Sequence, residues 1–292
     1  MKVLITGKNS YIGSSVKAYI EKQDPSITIS EISLRNIDIN LIDFSSYDVV
    51  FHFAGIAHIS ENKSLEKQYF LINRDLAIQV AERAKTQGVK KFIFASSLAI
   101  YGKDNYFWNQ NPIEVEEYSP TSAYGKSKLE ADLYLQTLAS NKFKVYILRL
   151  PMVYGPNSKG NLPKLERLAD KLFILPHLKN IRSVLHIDNL SKLCFALIKF
   201  DLSSRVLMPQ DNLYFSTSEF MTLYRKSKNK VVLKSFLLAL LVFLMAFLFK
   251  YINKVFGNKF VPLNLSKIKE IDYQEQNWKT YIKNNHSLSN DK

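Results

Sequence analysis

Tyr124 and Lys128 stand four residues apart in Tyr124-Gly125-Lys126-Ser127-Lys128, entering a run (Ser127, Leu129, Ala131, Leu133, Leu135, Leu138) that reads as a helix. Side chains at i and i+4 of a helix share a face, so the Lys128 ammonium can sit beside the Tyr124 phenol. A nearby cation stabilises phenolate and lowers the tyrosine pKa toward neutrality. Tyr124 is then a candidate proton donor or acceptor. The pair needs support from elsewhere, because 16 Tyr and 32 Lys in 292 residues give about two Tyr-x-x-x-Lys matches by chance. The other match, Tyr224 and Lys228, lies in a basic stretch with no supporting motif and reads as solvated surface.

The elements that must position such a pair are legible upstream. Lys2-Val3-Leu4-Ile5-Thr6 is a short strand running into Gly7-Lys8-Asn9-Ser10-Tyr11-Ile12-Gly13 and then a helical pattern (Val16, Ala18, Tyr19, Ile20). A tight glycine turn there lets backbone N–H groups approach a pyrophosphate at the helix N-terminus, which favours dinucleotide binding. A second strand is expected from Ile27 to Leu34. A carboxylate at its tip would mark NAD, but the tip reads Ser33-Leu34-Arg35, which suits the 2′-phosphate of NADP better. Glu31 is the fallback ribose ligand, and Arg35 as ordinary surface charge is the alternative. Asp48 to Gly55 reads as a buried strand ending where a cofactor can cross, with His52 as a core histidine. Helical spacing from Leu65 to Gln87 carries Asn73 and stops at Gly88, before a strand over Lys91 to Ser97. This alternation implies a parallel sheet with helices on both faces, an α/β fold.

The length of 292 residues with 47% apolar content allows one large α/β domain or a nucleotide-binding domain with a smaller lobe. The one cysteine, Cys194, lies in an apolar stretch, so no disulfide framework and no metal site are expected, and a cytoplasmic setting is the default. The chain opens directly on a strand pattern, so secretion is not expected. The net charge of +14 is concentrated between Glu219 and Glu270, with ten Lys or Arg and no acid around the most apolar run. A membrane surface explains that pairing better than a phosphate backbone, and no nucleic-acid partner is expected. Ser235 to Phe249 is fifteen residues without a charge, between Lys234 and Lys250. As a helix it would measure about 22 Å, against about 30 Å of hydrocarbon. Extended back to Val231 it is nineteen residues with Lys234 inside, a side chain that can snorkel. Three readings compete: an interfacial membrane helix, a buried or dimer-interface helix, and a full span. The cations favour the first and would place the protein at the inner face of the cell membrane.

Thr6-Gly7-x-x-x-Tyr11-Ile12-Gly13, Asp38-Ile39, Phe53-Ala54-Gly55, Ser96-Ser97-x-x-Ile100-Tyr101-Gly102, Tyr124-x-x-x-Lys128 and Leu148-Arg149-x-Pro151-x-Val153-Tyr154-Gly155-Pro156 occur in that order. Together they resemble the extended short-chain dehydrogenase/reductases, specifically the NAD-dependent epimerase/dehydratase group acting on nucleotide sugars. The likeness covers residues 1 to 156, extends more loosely to Gly160-Asn161 and Arg182-x-x-x-His186-Ile187, and is thin beyond about 205. It implies Tyr124 as catalytic acid/base, Lys128 as the residue that lowers its pKa and holds the nicotinamide ribose, and Ser97 as the hydroxyl on the reacting sugar oxygen. It implies Gly7, Ser10, Tyr11, Ile12 and Gly13 as the pyrophosphate loop, Asp38 and Ile39 as adenine contacts, and Phe53, Ala54 and Gly55 as the cofactor wall. Asn73 is implied on the cofactor side, Pro151 and Val153 at the nicotinamide edge, and Asn161 and Arg182 on the sugar nucleotide.

Departures narrow the reading. Ser10 replaces the loop's middle glycine, which is tolerable with negative φ. Members that remove water across C4, C5 and C6 carry Asp-Glu where Leu98 and Ala99 stand here. Members that epimerise C3 or C5 use a Cys and a His, and Cys194 lies far from the motifs. Sugar 4-epimerases commonly have an asparagine at Met152, and Leu-Pro-Met-Val-Tyr-Gly looks closer to a reductase-like branch of bacterial capsule and O-antigen synthesis. The expectation is a doubly wound Rossmann domain over 1–155, with 187–200 returning to it. A substrate lobe is expected over 156–186 and 205–280, including the apolar helix 235–249. The implied enzyme is an NAD- or NADP-dependent homodimer, a 4-ketoreductase or 4-epimerase of UDP-sugars; a non-catalytic dinucleotide-binding, membrane-docked protein is the contrasting reading.

Overall fold

In the computed structural model, which describes residues 1–57, 63–102, 104–203 and 205–286, β1 (Lys2–Thr6) buries four successive residues. That is the signature of a strand covered on both faces. Gly7, at φ +93°, turns the chain into α1 (Tyr11–Gln23), which buries Gly13, Val16 and Ile20. Parallel to β1 run β2 (Thr28–Ile32) on one side and the fully buried β3 (Val49–His52) on the other. His52 is a core residue as expected: it lies 3.1 Å from Thr6 Oγ1 and stacks on Phe92 and Phe94. Burial holds its pKa near 3, so it is neutral.

The long helical stretch is interrupted: α2 (Lys63–Phe70) passes through one π-type turn, Leu71–Asp75, into α3 (Leu76–Thr86). Next come β4 (Lys91–Ser97), a 3-10 turn over Leu98–Tyr101, α4 (Ala123–Thr137) and β5 (Lys144–Leu150). Chain order continues with β6 (Met152–Tyr154), α5 (Asn161–Lys171), β7 (Ile174–Pro176), β8 (Val184–His186), α6 (Ile187–Lys199) and β9 (Val206–Leu207). The last part holds α7 (Thr217–Ser227), β10 (Leu233–Ser235), α8 (Phe236–Leu248), α9 (Lys250–Phe256) and α10 (Trp278–His286).

Among the described residues the main sheet is ordered β2-β1-β3-β4-β5-β9, all parallel. Helices cover both faces: α1 and α6 bury Val16, Leu190 and Cys194 on one, while α3 and α4 bury Val80, Ala84 and Leu135 on the other. The order reverses between β1 and β3, and ligands of doubly wound sheets bind outside the carboxyl ends of strands at such a point.

A second core of Tyr154, Leu162, Leu175, Phe220 and Trp278 lies in the smaller lobe. Residues 187–199 return to the sheet as α6. The stretch after 205, expected in the lobe, is shared: β9 completes the sheet edge by pairing Val206 and Leu207 with Ile147 and Leu148, and Tyr273 packs into the sheet's core. No helix among the described residues is long and apolar enough to cross a membrane. The thirteen residues of α8 span about 20 Å and the helix ends at Phe249, so the full-span reading of 235–249 is set aside. Only its inner side, Val242 and Ala246, is buried.

Candidate active site

Ser97 ends β4 and accepts a hydrogen bond from the Ala99 N–H at 3.2 Å, starting the turn that follows. Tyr124 sits in the first turn of α4, whose N-terminus is capped by Ser122 Oγ accepting from the Gly125 N–H at 3.1 Å. A Cβ at Gly125 would fall 2.6 Å from the Ala99 carbonyl oxygen, so glycine is what lets α4 close on that turn. The closure brings the Tyr124 phenol to the Ser97 hydroxyl, with the Tyr69 ring edge-on at 6.0 Å. Burial raises the Tyr124 pKa, the hydrogen bond from Ser97 works against that, and Tyr69 adds to it.

The expected depression of the Tyr124 pKa is therefore reversed. Lys128 Nζ donates to the Ala95 carbonyl at 2.8 Å and lies 4.6 Å above the Phe94 ring. Burial pulls its pKa down to about 8, opposed by the Asp132 carboxylate. For Tyr124 burial outweighs the Ser97 hydrogen bond, and the side chain is a neutral phenol.

The residues expected to cradle a dinucleotide lie around the turn after β1 and the loops that face it. A Cβ at Gly7 would lie 3.0 Å from Ala54 N, so the turn and the Phe53-Ala54 wall are in backbone contact. Ser10 has φ −74° and caps α1 by accepting from the Gly13 N–H at 3.1 Å; a Cβ at Gly13 would sit 2.7 Å from that oxygen. The Tyr11 and Ile12 N–H groups, in the first turn, have no carbonyl within the helix to bond. At the β2 tip Arg35 is exposed, whereas Glu31 is ion-paired with Lys17 at 3.2 Å. Asp38 is exposed and accepts from the Asn40 N–H at 2.9 Å, above a buried Ile39. A cavity of about 390 Å³ lined by Ile32, Ile37, Leu41 and Tyr47 lies at this edge of the sheet and holds none of the catalytic residues.

Gly55 marks the crevice floor, since a Cβ there would lie 2.9 Å from Asn73 Oδ1 and 3.4 Å from Lys128 Nζ. Asn73 is fully buried, accepting from the Ile56 N–H at 2.9 Å and donating to the Ile56 carbonyl at 3.0 Å, so it fastens the loop after β3. Pro151 links β5 to β6, and Val153 packs against the sheet's core. A Cβ on Gly155 (φ +144°) would lie 3.0 Å from Tyr11 Oη, a buried hydroxyl without a hydrogen-bond partner among the described residues. In the lobe, Asn161 is exposed at the start of α5. Arg182 donates to the Gly257 carbonyl at 2.9 Å and pairs with Asp104 at 3.3 Å.

The sequence profile of the NAD dependent epimerase/dehydratase family matches residues 3–206. A UDP-glucose 4-epimerase of Vibrio cholerae is 31% identical over 242 residues, covering 75% of this chain and 73% of that protein.

The chain belongs to the NAD-dependent epimerase/dehydratase family.

Among solved structures, the Bacillus cereus UDP-glucuronic acid 4-epimerase in complex with NAD superposes with a TM-score of 0.72 at 19% identity, covering 97% of this chain and 94% of that one. RMD of Pseudomonas aeruginosa complexed with NADPH gives 0.72 at 15% identity, covering 97% of each chain. These share the fold. Several other curated epimerase relatives are matched over about half their length.

As an epimerase/dehydratase family enzyme the protein uses NAD or NADP, and the cradle fits that group. Gly7, Gly13 and Gly55 let the turn after β1, the start of α1 and the loop after β3 pack closer than a side chain would allow, and the orphaned Tyr11 hydroxyl is the kind of polar atom a bound ligand satisfies. Sequence reasoning missed the residues that hold the site in shape. Ser96 and Arg149 both bond the buried Asp132, and Lys259 reaches the Gly102 carbonyl in the turn after Ser97. An acid on an otherwise buried stripe of α4 was the available signal for Asp132. Lys259 had none.

Proposed function

We propose that this chain is a nucleotide-sugar oxidoreductase acting at C4 of a UDP-hexose or UDP-N-acetylhexosamine, and that it works as a UDP-4-keto-sugar reductase in the synthesis of a surface polysaccharide. The observation that carries the reading is the meeting of the Ser97 hydroxyl with a neutral Tyr124 phenol at the carboxyl edge of β4, with Lys128 one turn along α4. Bound NAD(P)H supplies the hydride. Ser97 holds the substrate oxygen, and Tyr124 gives its proton to that oxygen as the alkoxide forms. The charge of Lys128 favours the phenolate left behind. Asn161 and Arg182 are proposed to hold the diphosphate and base.

Two features support the reductive sense, and a third excludes dehydration. A raised Tyr124 pKa keeps the proton that reduction consumes. Arg35 is exposed at the β2 tip, as suits a 2′-phosphate, while Glu31 has one oxygen paired with Lys17. Leu98 and Ala99, apolar beside Ser97, supply no acid/base pair for water removal. The 4-epimerase reading is favoured by the Vibrio cholerae relative; there the ketone would turn over between two hydride transfers at the same site.

One assay separates them: absorbance of the purified protein near ~340 nm, where the reduced nicotinamide absorbs, then incubation with UDP-N-acetylglucosamine and, separately, with NADPH and a UDP-4-keto-6-deoxy sugar. Cofactor-free protein that consumes NADPH only with the keto sugar is the expected result. Retained cofactor with C4 interconversion and no added nucleotide selects the epimerase. Tyr124→Phe should lower turnover about 10²- to 10⁴-fold while sparing cofactor binding, and unchanged turnover rejects the assignment of Tyr124.

A further inference from the structure

The helix α8 reads Phe-Leu-Leu-Ala-Leu-Leu-Val-Phe-Leu-Met-Ala-Phe-Leu without a polar residue, yet only one side of it is packed. Val242 and Ala246 face the lobe, while Phe236, Leu237, Leu240, Leu241, Leu244 and Leu248 form one outward stripe. The exposure is large: 73% for Phe236, 77% for Leu237 and 74% for Leu248. Beside α8 the strand pair β7–β10 extends the surface with Leu233 and with Phe173 just ahead of β7, both exposed. A helix apolar all round is ordinarily buried, and contiguous exposed apolar surface of this kind marks an interaction site.

Charge selects the occupant. Lys171, Lys179, Lys226 and Lys234 are exposed on the segments that frame the patch. The nearby acid, Asp170, is already paired with Lys228 and Lys230, and no acid occurs between Glu219 and Glu270. A second copy seated here by two-fold symmetry would oppose one cationic rim to another. An anionic lipid surface complements both the apolar stripe and the rim. At about 20 Å, α8 is long enough to lie in the interface and too short to cross the ~30 Å hydrocarbon core.

We propose that α8, with the edge of β7–β10, is an interfacial membrane-docking surface for anionic lipid. The aromatic pad beneath it ties docking to the loop after the active-site turn. Trp108 packs on Phe243 and Phe247 with ring centroids 4.5 and 5.2 Å away. Asn258, fully buried, donates to the carbonyls of Phe107 and Asn109 at 3.1 and 2.7 Å. A homodimer formed through another face is compatible with this use of α8.

The test uses the full chain with vesicles of phosphatidylcholine alone and of phosphatidylcholine with phosphatidylglycerol. Binding is read by co-sedimentation and by Trp fluorescence, since Trp108 is exposed beside α8 and Trp278 is fully buried in the lobe. The expected result is sedimentation with phosphatidylglycerol vesicles, a blue shift of the emission, and weakening by salt. Leu240→Glu/Leu244→Glu should abolish binding, and Lys234→Glu should weaken it about fivefold or more, both with turnover in vesicle-free solution unchanged. That turnover is measured separately, so failure of the catalytic reading leaves the docking result intact. Equal binding to both vesicle compositions overturns the proposal, as does absence of binding. A shift from dimer to monomer in the double variant, without vesicle binding, assigns the face to a second copy instead.

Discussion

Lys128 and Tyr124 share a helix turn but not a charge environment. The lysine is almost fully buried and spends its Nζ on a backbone carbonyl, so burial draws its pKa down to about 8. The charge that would stabilise a Tyr124 phenolate is therefore lost as the pH passes about 8, well below the ordinary lysine value near ~10.4. The expected profile of kcat/KM is a fall on the alkaline side beginning near that pH. Lys128→Arg, whose guanidinium stays charged, should move the fall upward at lower absolute activity. A profile flat to about pH 10 would remove Lys128 from the proton step. The linked stability has the opposite sense: with a depressed folded pKa, the unfolded chain binds more protons between about 8 and 10.4, so stability rises with pH in that window.

At the scale of elements, the site depends on how α4 is fastened to the sheet. Asp132 of α4 accepts from Ser96 Oγ at 2.6 Å and from Arg149 Nε and Nη2 at 3.0 and 3.1 Å, joining the helix to β4 and β5. Arg149 continues to the Tyr101 and Tyr118 hydroxyls at 2.7 and 2.9 Å, on the segment that begins with Ser97. Both charges are buried, so removing one strands the other. Asp132→Ala should cost about 3–5 kcal/mol in a denaturant titration, and Asp132→Asn, which keeps the shape, should still lower kcat through misplacement of Tyr124 against Ser97. A variant with wild-type stability and kcat would show that α4 is held by its apolar contacts alone.

Across the whole molecule, Asp211 joins the two units. It accepts from Tyr154 Oη at 2.6 Å and from the His186 N–H and Asn189 Nδ2 at 2.8 Å each, while Asn189 also bonds the Gln276 carbonyl ahead of α10. Burial raises the Asp211 pKa to about 7, against the three hydrogen bonds that favour its charge. The folded state then keeps a proton between about pH 4 and 7 that the unfolded chain has released, so this contribution to stability is lost as the pH rises through that window. Asp211→Asn preserves the shape and should flatten the pH dependence of the unfolding midpoint there. An identical slope in variant and wild type would count against a protonated Asp211.

What the sequence determined by itself is what near neighbours control. The strand, glycine turn and helix of residues 2–23, the strand–helix alternation, the buried His52 and the order of motifs that marks the family all depend on local spacing and pattern. Tertiary structure decided what depends on burial and distant partners. It reversed the pKa shift expected for Tyr124, because burial under the closed α4, with the electrostatic effect of Tyr69 added, outweighs the hydrogen bond from Ser97. It turned Asn73 into a clasp for Ile56 through a π-type turn that no spacing rule announces. It moved Val206 and Leu207 onto the sheet, where the edge of β5 needed a partner. For the apolar run it set aside the full span and fixed which side is exposed, since a helix apolar on every side carries no mark of which side will face outward until the lobe has packed against one of them.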